Sequence, residues 1–336
     1  MKKFLIGFFA TGFTLLTIAA LGGYWGYQTL TQFAQSPLKI GVAQELEIQR
    51  GTSFNQFSQL LRQQNLIEDD GWKLKWLVRL NPELAQIKSG LYDVAPEDTV
   101  TSLLERVVSG REKSFALTLL EGQSIKEWQQ LLLTQPKLKF DEGMFTQILL
   151  DNGDTSGLAE GKFFPDTYHY RANNSARALL QESYRKMQAE LDSAWHNRQE
   201  GLPLKSSYEL LILASIIEKE TGKASERPWI SAVFINRLNK GMRLQTDPTV
   251  IYGMGERYEG NITRKDLREK TAFNTYRING LPPTPIAAPS LAAIQAAANP
   301  ADVDYFYFVS RNDGSHVFSR TLQEHNRAVN KYQRNR

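Results

Sequence analysis

Two glutamates at the end of one apolar segment, Glu218 and Glu220, have the chemistry of a general acid. Residues 210–217, directly before them, are almost entirely apolar. On a helix with about 100° between residues, Glu218 projects between Leu211 and Ala214. A carboxyl group on such a face loses contact with water, which favours the neutral form that a general acid needs. The pattern therefore predicts Glu218 as the acid and base, with Glu220 as the second candidate.

A structural role stays open for both glutamates, because a glutamate in the last turn of a buried helix is often a surface residue or an ion-pair partner. The helix itself has clear boundaries. Ser206 and Glu209 fit a capping box at its start, and Gly222 is typical of its end. Because its surface is apolar almost all round, we expect a helix over residues 206–221 at the centre of its domain.

The overall composition argues against several kinds of chemistry. With 40 basic and 36 acidic residues the net charge is +4, and no basic stripe is present, so nucleic acid is not expected as a partner. The lack of cysteine removes disulfides, thiol catalysis and lipidation on cysteine. The histidines, which do not have the spacing of a zinc site, are His169, His196, His316 and His325. No metal or cofactor is therefore expected.

The N-terminal segment has the pattern of a transmembrane helix. After Lys2 and Lys3, residues 4–38 contain no charged side chain, and residues 4–27 are mostly apolar. That length exceeds the ~20 residues that a helix needs to cross a membrane. The two lysines predict a cytoplasmic N-terminus, so the remaining chain is expected to be exported. A cleaved signal peptide is the alternative, although Ala19 is not part of an A-x-A cleavage site.

A weak internal repeat follows the predicted anchor. Each copy has a serine or threonine before an apolar series with helical spacing, at Ser53, Thr99 and Ser124. Strand-like stretches precede the copies, at residues 43–49, 91–94 and 115–120. Small α/β modules are predicted, with unrelated amphipathic helices as the alternative. The expected organisation is a cytoplasmic tip and transmembrane anchor (1–27), a polar stalk (28–38), the α/β modules (39–135) and a larger α+β domain (136–336).

Several sequence motifs, in the same order along the chain, resemble the endolytic murein transglycosylase family (the MltG or YceG-like proteins). They are EGKFFPDTY (160–168), ASIIEKET (214–221), VFINRL (233–238), MRLQTDPTVIYG (242–253), NTY (274–276) and GLPP (280–283). The modules before them resemble LysM-like domains.

The resemblance implies a lytic transglycosylase that cleaves the β-1,4 bond between N-acetylmuramic acid and N-acetylglucosamine in peptidoglycan. It implies that Glu218 protonates the glycosidic oxygen and then deprotonates the C6 hydroxyl, which leaves a 1,6-anhydro end. It also implies cleavage within strands, control of nascent strand elongation, cell-wall synthesis proteins as partners, and a single-pass inner-membrane protein with its catalytic domain in the periplasm. A hydrolytic muramidase and a non-catalytic peptidoglycan-binding scaffold are the alternatives.

Five further residues within these motifs have side chains suited to binding sugars through amide, hydroxyl, carboxyl or aromatic groups. They are Gln245, Thr246, Asp247, Asn274 and Tyr276. Asp247 is also placed to stabilise positive charge at the anomeric carbon. The structural alternative is that residues 246–248 form a capped helix start and that residues 274–276 form a turn.

Overall fold

The computed structural model describes residues 2–69 and 71–334, with their side chains from residue 11 onward. It is an α+β protein that separates into two compact units, Met1–Phe115 and Ala116–Arg336. The elements of the first unit are α1 (Lys2–Gln35), β1 (Gln44–Ile48), α2 (Phe54–Gln63), α3 (Lys73–Leu80), a 3₁₀ helix (Pro82–Ala85), β2 (Gly90–Val94) and α4 (Val100–Ser109).

The first unit repeats a strand followed by a capped helix. β1 and β2 pair in antiparallel register, with Gln44 opposite Val94. Capping boxes start α2 at Ser53 and α4 at Thr99, because each hydroxyl accepts a hydrogen bond from the third helical backbone N–H. These two predicted strand and helix pairs are confirmed. The apolar faces of both helices pack with the strands around the buried Tyr92.

Helix α1 differs from the predicted anchor and stalk. Its C-terminal part is helical to Gln35, where a polar stalk was predicted, and Leu30, Phe33 and Ala34 are buried. Their spacing of three and four residues places them on one face, which packs on α3 and α4. No helix among the described residues has the length and hydropathy to span a membrane. The side chains of residues 1–10, the first part of the predicted anchor, lie outside the described residues.

The second unit contains the longer helices. Its elements are β3 (Ser114–Thr118, which begins at the end of the first unit), α5 (Ile125–Leu133), α6 (Met144–Asp151), β4 (Thr167–Arg171), α7 (Arg177–His196), α8 (Ser207–Glu220), α9 (Arg227–Asn239), α10 (Asp247–Met254), α11 (Leu291–Ala298), β5 (Tyr307–Ser310), β6 (His316–Ser319) and α12 (Leu322–Val329). A short 3₁₀ turn follows α8 (Ala224–Glu226), another follows α10 (Gly255–Arg257), and a third lies between α10 and α11 (Asp266–Arg268). A π-helical turn, Asn330–Arg334, ends the described chain. Strands β3 and β4 form one small sheet, and the hairpin β5–β6 forms another.

Helix α8 is the centre of this unit, as predicted. Residues 210–217 are all buried, and α8 packs against α7, α9, α10 and α11. Ser206 caps it by accepting the Glu209 backbone N–H at 3.2 Å. The Glu209 carboxylate accepts instead from the Lys205 N–H at 2.7 Å, so the predicted reciprocal capping box is incomplete.

The strand and helix predicted as the third module, β3 and α5, lie in the second unit from Ala116 onward. Two backbone hydrogen bonds of 2.8 Å explain this. Gly122 N–H donates to Ala288 O, and Ala288 N–H donates to Gln123 O. The loop that precedes α5 is thereby joined to the loop that precedes α11, within the second unit.

Candidate active site

The C-terminus of α8 opens into a polar cavity of about 440 Å³, here called the Glu220 cavity. Glu220 is the last residue of α8, and α10 begins beside it at Asp247. Hairpin β5–β6 and helix α12 complete the walls. The lining residues are Glu220, Arg237, Leu244, Gln245, Thr246, Asp247, Tyr276, Tyr307, Phe308, Val309, Ser310, His316, Leu322, His325, Val329 and Gln333.

Glu220 has the properties of a general acid. Its burial raises its pKa from 4.5 to about 7, against the effect of a hydrogen bond that the Thr246 hydroxyl donates to its Oε1. The negative charge of Asp247 also raises this pKa, and the positive charge of Arg237 lowers it. A carboxyl group that titrates near neutral pH can both give and take a proton during one reaction. Because Glu220 also lines the cavity, that proton is within reach of a bound ligand.

Asp247 and Tyr276 form a pair on the cavity wall. The Tyr276 hydroxyl donates to Asp247 Oδ1 at 2.7 Å, and burial followed by this bond raises the Tyr276 pKa above its ordinary range. Behind them, Thr275 Oγ1 accepts the Thr246 backbone N–H at 3.0 Å and lies 2.9 Å from Thr249 Oγ1. These buried bonds connect the start of α10 with the NTY segment, so two distant motifs meet at one site.

Arg237 holds the loop that carries Gln245. Its guanidinium donates to Leu244 O at 2.8 Å and to Gln245 Oε1 at 3.4 Å, and its Nε donates to Phe306 O at 2.6 Å. Gln245 adopts a positive φ of 52°, an uncommon backbone conformation for a residue with a side chain. The arginine therefore connects α9, the Gln245 loop and the residue that precedes β5.

The structure brings four of the five predicted sugar-binding residues to the Glu220 cavity: Gln245, Thr246, Asp247 and Tyr276. Asn274 lies behind the wall. Its amide donates to Asp266 O at 3.0 Å and to Glu269 O at 2.7 Å, and its Oδ1 accepts the Tyr276 N–H at 3.0 Å. For Asn274 the geometry is that of a turn, the structural alternative that the sequence left open. Its side chain forms hydrogen bonds with the backbone of residues 266, 269 and 276.

Glu218 points away from this cavity, since two residues on a helix differ by about 200° in direction. Its Oε2 accepts from the Ser290 N–H at 3.0 Å and from the Ser290 hydroxyl, at the first turn of α11. Its Oε1 lies 3.5 Å from Arg227 Nη2, and only 8% of its side chain is exposed. This is the ion-pair role that the sequence left as the alternative for Glu218.

Comparison with known proteins identifies the family. The profile of the YceG-like family matches residues 46–331. The chain belongs to the YceG-like family.

Relatives with an assigned name support this placement. The chain is 28% identical to a protein of Bacillus subtilis named endolytic murein transglycosylase, over 85% of this chain and 84% of the relative. It is 25% identical to a Streptococcus pneumoniae protein of the same name, over 98% of this chain but only 65% of that relative. The crystal structure of a YceG-like protein of Listeria monocytogenes matches with a TM-score of 0.56 and 27% identity, over 86% of this chain and 99% of the other.

Several side chains of this YceG-like site were not predicted from the sequence, among them Arg237, Tyr307 and His325. Arg237 was visible as the one cation of the VFINRL motif. For His325 the sequence pattern bears only on a zinc site, which the spacing of the histidines does not fit. In the structure its ring stacks on Tyr307 at 5.2 Å, and its Nδ1 is buried without a hydrogen bond to any residue in 2–69 or 71–334. Burial, with the charge of Arg237, lowers the His325 pKa.

Proposed function

We propose that this YceG-like protein is an endolytic murein transglycosylase, a lyase that cleaves the glycan strands of peptidoglycan, and that Glu220 is its general acid and base. The observation that carries the residue assignment is the position of Glu220, whose pKa is about 7, at the wall of a cavity that also presents Gln245, Asp247 and Tyr276. Family membership and the names of the relatives support the reaction class.

In the proposed reaction, protonated Glu220 gives its proton to the glycosidic oxygen, and the bond from that oxygen to the anomeric carbon breaks. The Glu220 carboxylate then takes the proton of the C6 hydroxyl, whose oxygen bonds to the anomeric carbon and closes a 1,6-anhydro ring. The proton count balances and no water is consumed. The Asp247 carboxylate, oriented by the Tyr276 hydroxyl, stabilises positive charge at the anomeric carbon.

Asp247 also supports a second candidate, hydrolysis of the same bond. Ordinary glycosidases use a pair of carboxylates, and the Glu220 cavity contains two. Mass spectrometry of the products separates the two reactions. The lytic reaction leaves ends that are one water lighter than the reducing ends that hydrolysis leaves.

The residue assignment is tested by two matched variants, Glu220→Gln and Glu218→Gln, on purified glycan strands. We expect Glu220→Gln to lose at least about 1,000-fold in kcat, since an amide cannot protonate the leaving oxygen. Glu218→Gln, in the same helix and of the same chemistry, should keep kcat within about tenfold. The reverse result would assign the acid to Glu218, as the sequence predicted, and would refute the role proposed for Glu220.

Location and the role of the first unit are also proposals. The charge-free residues 4–38 and the apolar side chains exposed on α1, among them Phe13, Leu16 and Trp25, support a single-pass inner-membrane anchor with the second unit in the periplasm. Washing membranes at alkaline pH tests the anchor: the wild-type protein should stay with the membranes, and the Leu16→Arg variant should be released. The repeated strand and capped helix of the first unit support a LysM-like, glycan-binding role. Cell-wall synthesis proteins remain the proposed partners.

A further inference from the structure

A second cavity, of about 760 Å³, lies in the same unit and has no role in the reaction described above. We call it the Tyr258 cavity. Its lining residues are Gly122, Ser124, Lys126, Glu127, Glu160, Lys219, Pro248, Ile251, Tyr252, Gly255, Glu256, Tyr258 and Ile286. Pro248, Ile251, Ile286 and the two tyrosines give it an apolar and aromatic wall.

Consecutive residues line the two cavities at two points of the chain. On α8, Lys219 lines the Tyr258 cavity and the next residue, Glu220, lines the other. At the start of α10, Asp247 lines the Glu220 cavity and the next residue, Pro248, lines the Tyr258 cavity. Because successive residues on a helix project about 100° apart, the two cavities lie on neighbouring sides of α8 and of the start of α10. A ligand that reaches from one cavity to the other would pass over the first turn of α10.

The charged groups of the Tyr258 cavity are occupied by partners in the protein. Lys126 pairs with Glu256, and Lys219 donates to Gly122 O at 2.9 Å. Glu127 accepts the Ser124 backbone N–H at 2.7 Å.

The remaining acid, Glu160, is held in the same way. It accepts from the Ile125 N–H and from the Tyr252 hydroxyl, both at 3.1 Å. A charged ligand would have to break such pairs, so the cavity favours an uncharged one.

Tyr258 offers the contact that an uncharged sugar needs. Its side chain is half-buried, and its hydroxyl makes no hydrogen bond within residues 2–69 and 71–334. An aromatic ring provides apolar surface for the C–H face of a pyranose, and a hydroxyl at its edge can bond the sugar hydroxyls. Ile251 and Pro248 extend that apolar surface toward Asp247.

We propose that the Tyr258 cavity binds an uncharged pyranose residue, an N-acetylglucosamine, of the strand whose scissile bond lies in the Glu220 cavity. Cleavage then depends on strand length, because only strands that reach across the first turn of α10 use both cavities. The inference rests on the proposed function, in that the substrate is a glycan.

The test compares Tyr258→Ala with Tyr332→Ala, whose tyrosine lines neither cavity. Both variants are assayed, in the full chain, on peptide-free glycan strands sorted by length. Loss of one aromatic contact should raise KM for long strands about 3- to 10-fold while kcat stays unchanged. The shortest strands that are cleaved should show no change, and Tyr332→Ala should match wild type throughout.

An equal loss for strands of all lengths, or no loss, would overturn the proposal. A fall in kcat without a change in KM would overturn it as well, because Tyr258 would then act on the reaction and not on distant sugars. Strand binding by Glu220→Gln, with and without Tyr258→Ala, separates this inference from the proposed function. If that binding weakens with Tyr258→Ala although wild type releases no fragments, the cavity assignment stands and the enzyme assignment fails.

Discussion

Replacing Glu220 by glutamine should stabilise the protein at alkaline pH while it removes activity. Ionised Glu220 is costly in the folded state, because burial raises its pKa from 4.5 to about 7. A folded-state pKa above the unfolded one means that the folded protein binds more protons between these values. Stability is therefore lost as pH rises from about 4.5 through about 7. Glutamine has no proton to lose and escapes this penalty.

The size of the effect follows from the shift. A difference of about 2.5 pKa units corresponds to about 3 kcal/mol, which is a ceiling because the side chain is partly exposed at the cavity. Between pH 5 and pH 8, the stability of Glu220→Gln relative to wild type should rise by about 1 to 2.5 kcal/mol. For a unit of this size, that is a gain of about 3 to 8 °C in the midpoint of unfolding.

Thermal unfolding followed by circular dichroism at pH 5 and pH 8, at one ionic strength, measures this difference. Glu160, whose pKa is also raised to about 7 by burial, is present in both proteins and cancels from the comparison. Glu218→Gln is the matched control. It should lower the midpoint at both pH values, because Arg227 loses its ion-pair partner. A gain for Glu220→Gln that is equal at pH 5 and pH 8, or no gain, would refute the argument from burial.

Three further outcomes are expected. The kcat/KM of wild type should fall about tenfold per pH unit above about pH 7, as Glu220 loses its proton, and a rate that stays level to pH 9 would exclude it as the acid. Tyr276→Phe should lower kcat about tenfold with little change in the unfolding midpoint, because Asp247 loses a 2.7 Å hydrogen bond. Steady-state kinetics would measure this fall in kcat. Asn274→Ala should lower the free energy of unfolding by about 2 kcal/mol, measured in urea, because two backbone carbonyls lose their donor.

Local patterns were sufficient to predict the elements near the site. The apolar run at residues 210–217 predicted a buried α8, and Ser206 predicted its start. The spacing at Ser53 and Thr99 predicted two helices that the structure confirms with capping boxes. These features depend on residues within one or two turns of each other, so a linear sequence contains the information. The motif order likewise indicated the family that the profile confirms.

Which glutamate faces the cavity was a different kind of question. Helix α8 is apolar almost all round, so its periodicity defines no polar side, and both Glu218 and Glu220 lie within three residues of the end of the buried run. Their environments come from distant segments. Ser290 and Arg227 bind Glu218, and the Thr246 hydroxyl donates a hydrogen bond to Glu220. The burial of the C-terminal part of α1 likewise depends on distant segments, because α3 and α4 cover its apolar face.

The sequence by itself determined the central helix, the two capped strand–helix pairs, the family and four of the polar residues that meet at the cavity. Only the tertiary structure decided that Glu218 ends in an ion pair and that Glu220 lines the cavity with a raised pKa. The physical reason is that desolvation and hydrogen bonding act over a few ångströms in space. Chain segments that are 26 and 72 residues apart supply the atoms at that distance.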